Sequence, residues 1–384
     1  MNMRLSVFPD RNLLYGDDHS DARAHLLDLG KISNKMIRKT LFCLALVSLA
    51  ALGGCRQDAG VEVIRCDTDN APAIEMPGSG LFTEISLDPS PMLPPNHLVV
   101  PGDGSVYFLS RDTLFCYSLA DGRRERIIGR RGRAKNEFSD AWEFWIDGDE
   151  LYIDDINAKK MLRFSRDGEW QDSKLVARTA QAFCRLDQDH WVGRMNFGGV
   201  RNEYPQLGIF DNDLEFVRPE GSWMLLSGSY AGYPFCRNQE GVLYNPPFSE
   251  KIIQVTPEGS YEKYQVEFLD GTMKLENYED EFALLAEFTT EMNRRSFSLQ
   301  VRSICEDGKY LNFRYYSTKR GVMLVLYDLK KKEAHCVNIQ LPEEWSVSES
   351  TMSDGKIYLS AFEDKAGVRI WVADAAALVA AATK

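Results

Sequence analysis

The densest run of positive charge in the sequence lies between residues 123 and 135. It comprises Arg123, Arg124, Arg126, Arg130, Arg131, Arg133 and Lys135. Guanidinium groups bind carboxylate, sulfate and phosphate groups through paired hydrogen bonds. Trp142 and Trp145 follow closely and could stack on a ligand that carries such an anion. We therefore predict ligand contacts at Arg130, Arg131, Arg133, Trp142 and Trp145; the alternative is that the arginines alternate outward on an outer strand and pair with acidic side chains.

Aromatic residues form a second cluster about a hundred residues later. Its members are Trp223, Tyr230, Tyr233 and Phe235. Sugar rings stack on exposed aromatic faces, which makes Tyr230 and Tyr233 candidate ligand contacts. Large aromatic side chains also fill hydrophobic cores, and that alternative remains open.

The sequence gives little support for a metal or a cofactor. Four aspartates are close enough in sequence to share a calcium ion, namely Asp147, Asp149, Asp154 and Asp155. However, Asp-Gly turns commonly use the aspartate to cap their own backbone, and no EF-hand spacing is present. The histidines His97, His190 and His335 are far apart and form no HExxH motif. We therefore predict neither a metal nor a cofactor.

No catalytic residue can be named from the sequence. A GxSxG nucleophile motif is absent. Glycoside hydrolysis requires only two facing carboxylates, and 57 Asp and Glu residues supply many candidates without identifying a pair. A hydrolase or lyase acting on carbohydrate or peptide therefore stays open as the alternative to a binding protein.

An export signal is the most specific motif in the chain. The sequence Leu-Gly-Gly-Cys at residues 52–55 ends an apolar run that starts at Leu41 and follows Lys35, Arg38 and Lys39. The run is about half the roughly 20 residues needed to span a bilayer. A basic stretch, a short apolar run and small residues before a cysteine resemble the lipobox of bacterial lipoproteins. Cys55 is thus the predicted site of a lipid anchor.

This motif also divides the chain. Residues 1–35 precede the basic group and are interpreted as a non-native or disordered extension, with Met36 as the preferred start. Residues 36–54 form the signal peptide, 55–80 a tether with a possible closing strand, and 81–384 the folded domain. The net charge of −12 argues against nucleic-acid binding. Whether the anchored protein faces the periplasm or the cell surface of the outer membrane stays open.

Six cysteines follow Cys55 in the sequence. They are Cys66, Cys116, Cys184, Cys236, Cys305 and Cys336. An even number in an exported protein permits disulfides, but the spacings are wide and contain no CxxC motif. We favour buried free thiols that pack as small apolar side chains.

A short phrase recurs along the chain and predicts the fold. It consists of a strand, an Asp-Gly type of turn and further apolar strands, with first turns near residues 103, 147, 187, 240, 307 and 354. Most of these intervals match the roughly 40–50 residues of a four-stranded propeller blade. A β-sandwich would also contain short strands, but it would not repeat one phrase six times. The expected fold is therefore an all-β, six-bladed propeller of four-stranded antiparallel blades.

Two segments depart from the repeat. From Leu275 to Met292 apolar residues recur at steps of three and four, which predicts an amphipathic helix inserted between the fourth and fifth blades. The last phrase is one strand short. Residues 61–64 or 82–85 could supply that outer strand and so close the ring.

The chain resembles the bacterial six-bladed β-propeller lipoproteins, an NHL-repeat-like family of Gram-negative exported proteins. The resemblance rests on the strand pair at residues 151–155 and 161–164 and on the glycine-rich stretch 128–133. Family members usually continue this stretch with Gly-Pro-Gly-Glu-Phe; here Ala-Lys-Asn replaces Gly-Pro-Gly before Glu137 and Phe138. The resemblance implies architecture and export, and it transfers no catalytic residue.

Together these features predict a monomeric binding or scaffolding protein at the cell envelope. Propellers place their inner strands and loops around a central channel, which suits a glycan, a peptide or a partner protein.

Overall fold

The innermost strand of each of the six sheets contacts the innermost strands of two other sheets, so the six sheets form a closed ring. This arrangement is seen in a computed structural model. It describes residues 60–92, 95–110, 112–176, 180–195, 205–223, 233–246, 249–273 and 296–383, with isolated positions between 283 and 294. The predicted all-β, six-bladed propeller of four-stranded antiparallel blades is confirmed.

Blades 1 to 3 each consist of four consecutive antiparallel strands. Blade 1 contains β4 (Pro95–Val99), β5 (Ser105–Ser110), β6 (Thr113–Ser118) and β7 (Arg124–Arg130). Blade 2 contains β8 (Ala141–Asp147), β9 (Glu150–Asp155), β10 (Lys160–Ser165) and β11 (Trp170–Leu175). Blade 3 contains β12 (Ala180–Arg185), β13 (His190–Met195), β14 (Pro205–Asp211) and β15 (Phe216–Trp223).

Blades 4 to 6 also receive strands from the N-terminal segment. Blade 4 contains β16 (Phe235–Asn238), β17 (Gly241–Tyr244), β18 (Lys251–Thr256) and β19 (Gly259–Phe268), and then β1 (Glu62–Cys66). Blade 5 contains β20 (Ser298–Glu306), β21 (Tyr310–Ser317), β22 (Gly321–Asp328) and β23 (Glu333–Gln340), and then β2 (Ala73–Glu75). Blade 6 contains β24 (Ser346–Ser353), β25 (Lys356–Glu363), β26 (Gly367–Asp374) and β3 (Phe82–Ser86).

The ring closes in blade 6, where β3 pairs antiparallel with β26. Of the two segments considered for the outer strand, the second therefore occupies it. The first forms β1, which extends blade 4 as a fifth, parallel strand, and β2 extends blade 5 in the same way. The segment expected to be a tether thus contributes strands to two sheets.

The hydrophobic core is divided among the spaces between neighbouring blades. In the described residues, six buried clusters each join two adjacent sheets. Phe144 of blade 2, for example, packs with Leu114 of blade 1, and Phe183 of blade 3 packs with Trp145 of blade 2. Successive side chains of a strand point to opposite faces of its sheet, and both faces carry apolar side chains. Each blade therefore packs against its two neighbours.

A short helix follows the last strand, in the alanine-rich tail. This helix, α1 (Ala375–Ala382), begins after Asp374, whose carboxylate accepts a hydrogen bond of 2.8 Å from the Ala377 amide. It buries Ala375 and Leu378 against blades 5 and 6. In the described part of the chain, no helix is long and apolar enough to cross a bilayer.

Most of the amphipathic helix expected between blades 4 and 5 lies outside the described residues. Isolated positions in this stretch, such as Glu287 and Arg294, have helical backbone geometry, but they do not define an element. The helix therefore stays a prediction.

Gly122 lies where ring closure brings blades 6 and 1 together. Its φ is +70°, and a Cβ at this position would overlap the carbonyl oxygen of Ser86 at the end of β3. Gly148, in the Asp-Gly turn between the first two strands of blade 2, has a φ of +60° but no heavy atom within 4 Å of a Cβ. We expect Gly122→Ala to lower the free energy of unfolding by about 3 kcal/mol and Gly148→Ala by about 1 kcal/mol, because only the first adds a backbone clash to the cost of positive φ. Urea denaturation of both variants measures the difference, and equal losses would contradict the clash.

Candidate functional site

A cleft opens at the centre of the ring and receives side chains from all six inner strands. Its lining includes His97 of β4, Trp145 of β8, Cys184 of β12, Cys236 of β16, Ile304 of β20 and Thr351 of β24. The cleft encloses about 210 Å³. Because sites for drug-sized ligands usually enclose about 300–1,000 Å³, this one has room for only a small group or for one end of a larger ligand.

An ion-pair group forms one side of the cleft. The Asp147 carboxylate lies 2.6 Å from Nη1 of Arg237 and 3.4 Å from Nε of Arg185. The Arg185 guanidinium also lies over the Trp191 ring, 4.3 Å from its centroid. Arg185 is thus held on two sides, whereas the Arg237 side chain remains 52% exposed. Arg237 can therefore contact an anionic group that enters the cleft.

A stacked pair of rings forms another part of the lining. The imidazole of His97 stacks on Tyr233 with centroids 4.2 Å apart and lies 4.9 Å from Phe144. The Tyr233 hydroxyl donates a 2.7 Å hydrogen bond to the Phe183 carbonyl, which fixes the ring between blades 3 and 4. Burial lowers the pKa of His97 to about 3, so this imidazole is neutral at physiological pH.

Two glutamates with raised pKa values lie on the inner strands of blades 2 and 6. Burial raises the pKa of Glu143 to about 8, and the charges of Asp154 and Glu349 add to the effect while Arg194 opposes it. Burial likewise raises the pKa of Glu349. Ser303 donates a 2.8 Å hydrogen bond to Glu349, and Nη2 of Arg314 lies 3.4 Å from the same carboxylate. Glu349 lines the cleft, whereas Glu143 is buried beside it.

The predicted arginine contacts lie elsewhere. Arg130 ends β7, the outer strand of blade 1, where its side chain is 72% exposed and lies 3.3 Å from Glu137. Arg131 and Arg133 are exposed in the connection that follows. The structure therefore does not bring this basic group to the central cleft.

The two aromatic candidates that the structure describes do line the cleft. Tyr233 stacks there on His97. Trp145 lies face to face with Tyr152 at 5.7 Å, and its indole nitrogen has no hydrogen-bond partner among the described residues. The Trp142 side chain, Tyr230 and the predicted lipid site Cys55 lie outside the described residues.

Sequence reasoning missed the charged residues of the cleft, although the repeat carried a signal for them. The phrase Phe-Cys-Arg occurs at residues 183–185 and again at 235–237, immediately before the first turn of blades 3 and 4. Equivalent positions in a radial repeat point toward the same axis. Two arginines at equivalent positions, with Asp147 before the first turn of blade 2, therefore indicated one shared group.

Comparison with known families agrees with this architecture. A family described as "6-bladed beta-propeller" matches residues 105–347. The chain belongs to this family. No curated protein matches the sequence. The family resemblance inferred from the blade phrase is confirmed at the level of the six-bladed propeller.

Two solved structures show the same propeller architecture. One is a protein of Bacteroides fragilis described as exported, with a TM-score of 0.62 and 12% identity over 82% of this chain and 99% of that one. The other is a member of the duf4221 family from Bacteroides vulgatus, with a TM-score of 0.53 and 8% identity over 76% of this chain and 95% of that one. At such identities the likeness concerns the fold alone.

Proposed function

We propose that this propeller is an exported, lipid-anchored binding protein of the Gram-negative cell envelope, and that it holds one end of a peptide in the central cleft. The observation that carries the proposal is the convergence of six inner strands on one cleft with a half-exposed arginine, Arg237. Lipid attachment at Cys55 is supported by the Leu-Gly-Gly-Cys motif after its apolar run. We also propose that the blades are of the NHL-repeat type and that residues 275–292 form a helix.

The described aromatic rings favour a peptide over a glycan. Stacking of a sugar requires an open aromatic face. One face of Tyr233 is covered by His97, and Trp145 stacks on Tyr152. Trp145 is also only 4% exposed. The accessible groups of the cleft are instead charged: Arg237 is 52% exposed and Asp147 is 26% exposed.

Charge of both signs suits a peptide end. A carboxylate can pair with Arg237, and an amino group can pair with a cleft carboxylate. The cleft volume of about 210 Å³ fits one or two residues rather than a long segment. A partner protein would therefore insert a terminus or a single loop side chain.

The test is binding of short peptides and glycans to the purified full chain. We expect a peptide ligand to bind, and Arg237→Ala to weaken its affinity about tenfold, because a hydrogen bond to a charged group contributes on the order of 1.5 kcal/mol. Isothermal titration calorimetry measures both affinities.

A matched control is available on the outer edge of blade 4. Arg65 of β1 is 68% exposed and pairs with Glu267, so Arg65→Ala removes the same charge far from the inner strands. We expect the Arg65→Ala variant to bind the peptide with the same affinity as the wild type. Equal weakening by both variants would indicate a general charge effect, and binding of glycans alone would overturn the peptide assignment.

An enzyme is the second candidate, and Glu143 is the observation that favours it. Glu349 lines the cleft, and Glu143 beside it has a pKa of about 8, so that this carboxyl group keeps its proton near neutral pH as a general acid must. Glu349 is the nearby second carboxylate. Mass spectrometry of each ligand after incubation distinguishes the two functions, because a binding protein leaves the ligand intact.

A further inference from the structure

The interface between blades 4 and 5 is the one with the longest intervening chain. Strand β19 ends at Phe268 and β20 begins only at Ser298, whereas every other pair of successive blades is joined by a shorter connection. The more residues separate two strands in the sequence, the less the sequence separation alone limits the distance between their sheets. This interface therefore depends most on contacts other than chain connectivity.

Four of the six described cysteines meet at this interface, in two pairs. Cys66 of β1 and Cys336 of β23 lie on outer strands that contact each other, and both side chains are buried in the cluster between the two blades. Cys236 of β16 and Cys305 of β20 lie on neighbouring inner strands, and the Cys236 sulfur accepts a 3.1 Å hydrogen bond from the amide of Glu306, the residue after Cys305. All four belong to, or pack against, one buried cluster between the two blades.

The other two described cysteines have no such neighbour. The Cys116 thiol in blade 1 contacts Glu125 at 3.4 Å, and the Cys184 thiol in blade 3 contacts the Arg185 carbonyl at 3.8 Å. Pairing is thus confined to one interface within the described part of the chain. Strands β1 and β23 contact each other, as do β16 and β20, so both pairs bridge backbones that are already adjacent.

We propose that Cys66 with Cys336, and Cys236 with Cys305, are two disulfide-forming pairs that fasten blade 4 to blade 5 at its outer and inner radius. The sequence favoured six buried free thiols; four of them are here assigned to redox chemistry. The oxidant is a disulfide of the class found in thiol–disulfide oxidases or oxidised glutathione.

The environment of the inner pair favours thiol–disulfide exchange. The neighbouring Cys236 thiol lowers the pKa of Cys305, whereas the Cys305 thiol and burial raise the pKa of Cys236 well above its ordinary value, so Cys305 is the sulfur that attacks first. The Cys305 thiolate attacks one sulfur of the oxidant and releases the other as a thiolate. The Cys236 thiolate then attacks the Cys305 sulfur in this mixed disulfide and displaces the second oxidant sulfur. Two cysteine thiols lose two protons and two electrons, and the oxidant disulfide becomes two thiols.

The two pairs differ in access. Cys236 and Cys305 both line the central cleft, whereas Cys66 is fully buried. Attack by a thiol or phosphine requires access to a sulfur atom. In the native protein a reductant should therefore open the inner disulfide at least about tenfold faster than the outer one.

The experiment is refolding of the purified full chain from denaturant in a mixture of oxidised and reduced glutathione, so that both pairs are accessible while the disulfides form, followed by denaturation, alkylation and peptide mass spectrometry. We expect crosslinked peptides containing Cys66 with Cys336 and Cys236 with Cys305, while Cys116 and Cys184 are alkylated. Reduction of both crosslinks should lower Tm by about 5 °C or more, because each constrains a long loop of the unfolded chain.

Two variants keep the result specific. Cys336→Ser should abolish the outer crosslink and leave the inner one, whereas the equally conservative Cys116→Ser, also at a buried position, should leave both. Alkylation of all four interface cysteines after oxidation would overturn the proposal. Crosslinks scrambled among all six cysteines would overturn it as well.

Discussion

Replacing Asp155 by Ala is expected to lower the free energy of unfolding by about 4 kcal/mol. The carboxylate is fully buried at the end of β9. It accepts hydrogen bonds from the amide and hydroxyl of Ser139 at 2.7 and 2.8 Å, from the Asp140 amide at 3.2 Å and from the Ala158 amide at 3.1 Å. Its loss leaves three backbone donors unpaired, two where blade 1 leads into blade 2 and one in the turn between β9 and β10. Urea denaturation followed by tryptophan fluorescence measures the change.

The control for this prediction is Asp121, which caps an exposed turn. Its carboxylate accepts a 3.2 Å hydrogen bond from the Arg123 amide, and water can replace that bond. We expect Asp121→Ala to cost less than about 1 kcal/mol. A similar small cost for Asp155→Ala would show that the Asp155 network contributes little to stability.

A second large effect should depend on pH. Burial raises the pKa of Glu143 to about 8 in the folded protein, so between its ordinary value of 4.5 and 8 the native state retains a proton that the unfolded state has lost. Stability is therefore lost as pH rises through this window. Glu143→Gln keeps the shape without the titration. At pH 8 we expect the variant to be more stable than the wild type by on the order of 3 kcal/mol, and at pH 5 the two should be similar.

Thermal denaturation at the two pH values measures this difference. Groups that do not interact with Glu143 titrate alike in both proteins and cancel in the comparison. Glu215→Gln, at an exposed position, is the matched control and should change little at either pH. A variant as pH-sensitive as the wild type would indicate that Glu143 is ionised in the native protein.

The fold could be predicted because each blade carries its own local signal. The six predicted first turns, from Asp103 to Asp354, all join the first and second strands of a blade. Four of the six turns contain Asp-Gly and a fifth contains Glu-Gly, which is a local signal that a sequence displays directly. The parallel strands β1 and β2 could not be predicted in the same way, because their partners β19 and β23 are far away in sequence. Helix α1 was missed because alanines without periodicity give no amphipathic pattern.

The residues that line the cleft could not be predicted in this way, because tertiary contacts bring them together and no local sequence pattern contains those contacts. Arg130 belongs to the most basic run, yet it is exposed on an outer strand. Arg237 stands in an unremarkable phrase and reaches the cleft because β16 is an inner strand. The raised pKa of Glu143 likewise results from its burial among residues of other strands. The charge density of a sequence segment therefore predicts less about which side chains line the central cleft than the position of each strand within its blade does.

The use of residues 62–86 in three successive blades has a consequence for biosynthesis. Glu62 pairs opposite Tyr264, Ala73 opposite Asn338, and Phe82 opposite Ala373. A nascent chain presents these early segments long before their partners have been translated. Pairing over such separations is slow, and unpaired edges invite aggregation. We therefore expect folding to finish only after Ala373 has been translated, because the earliest strands pair with strands near the end of the chain.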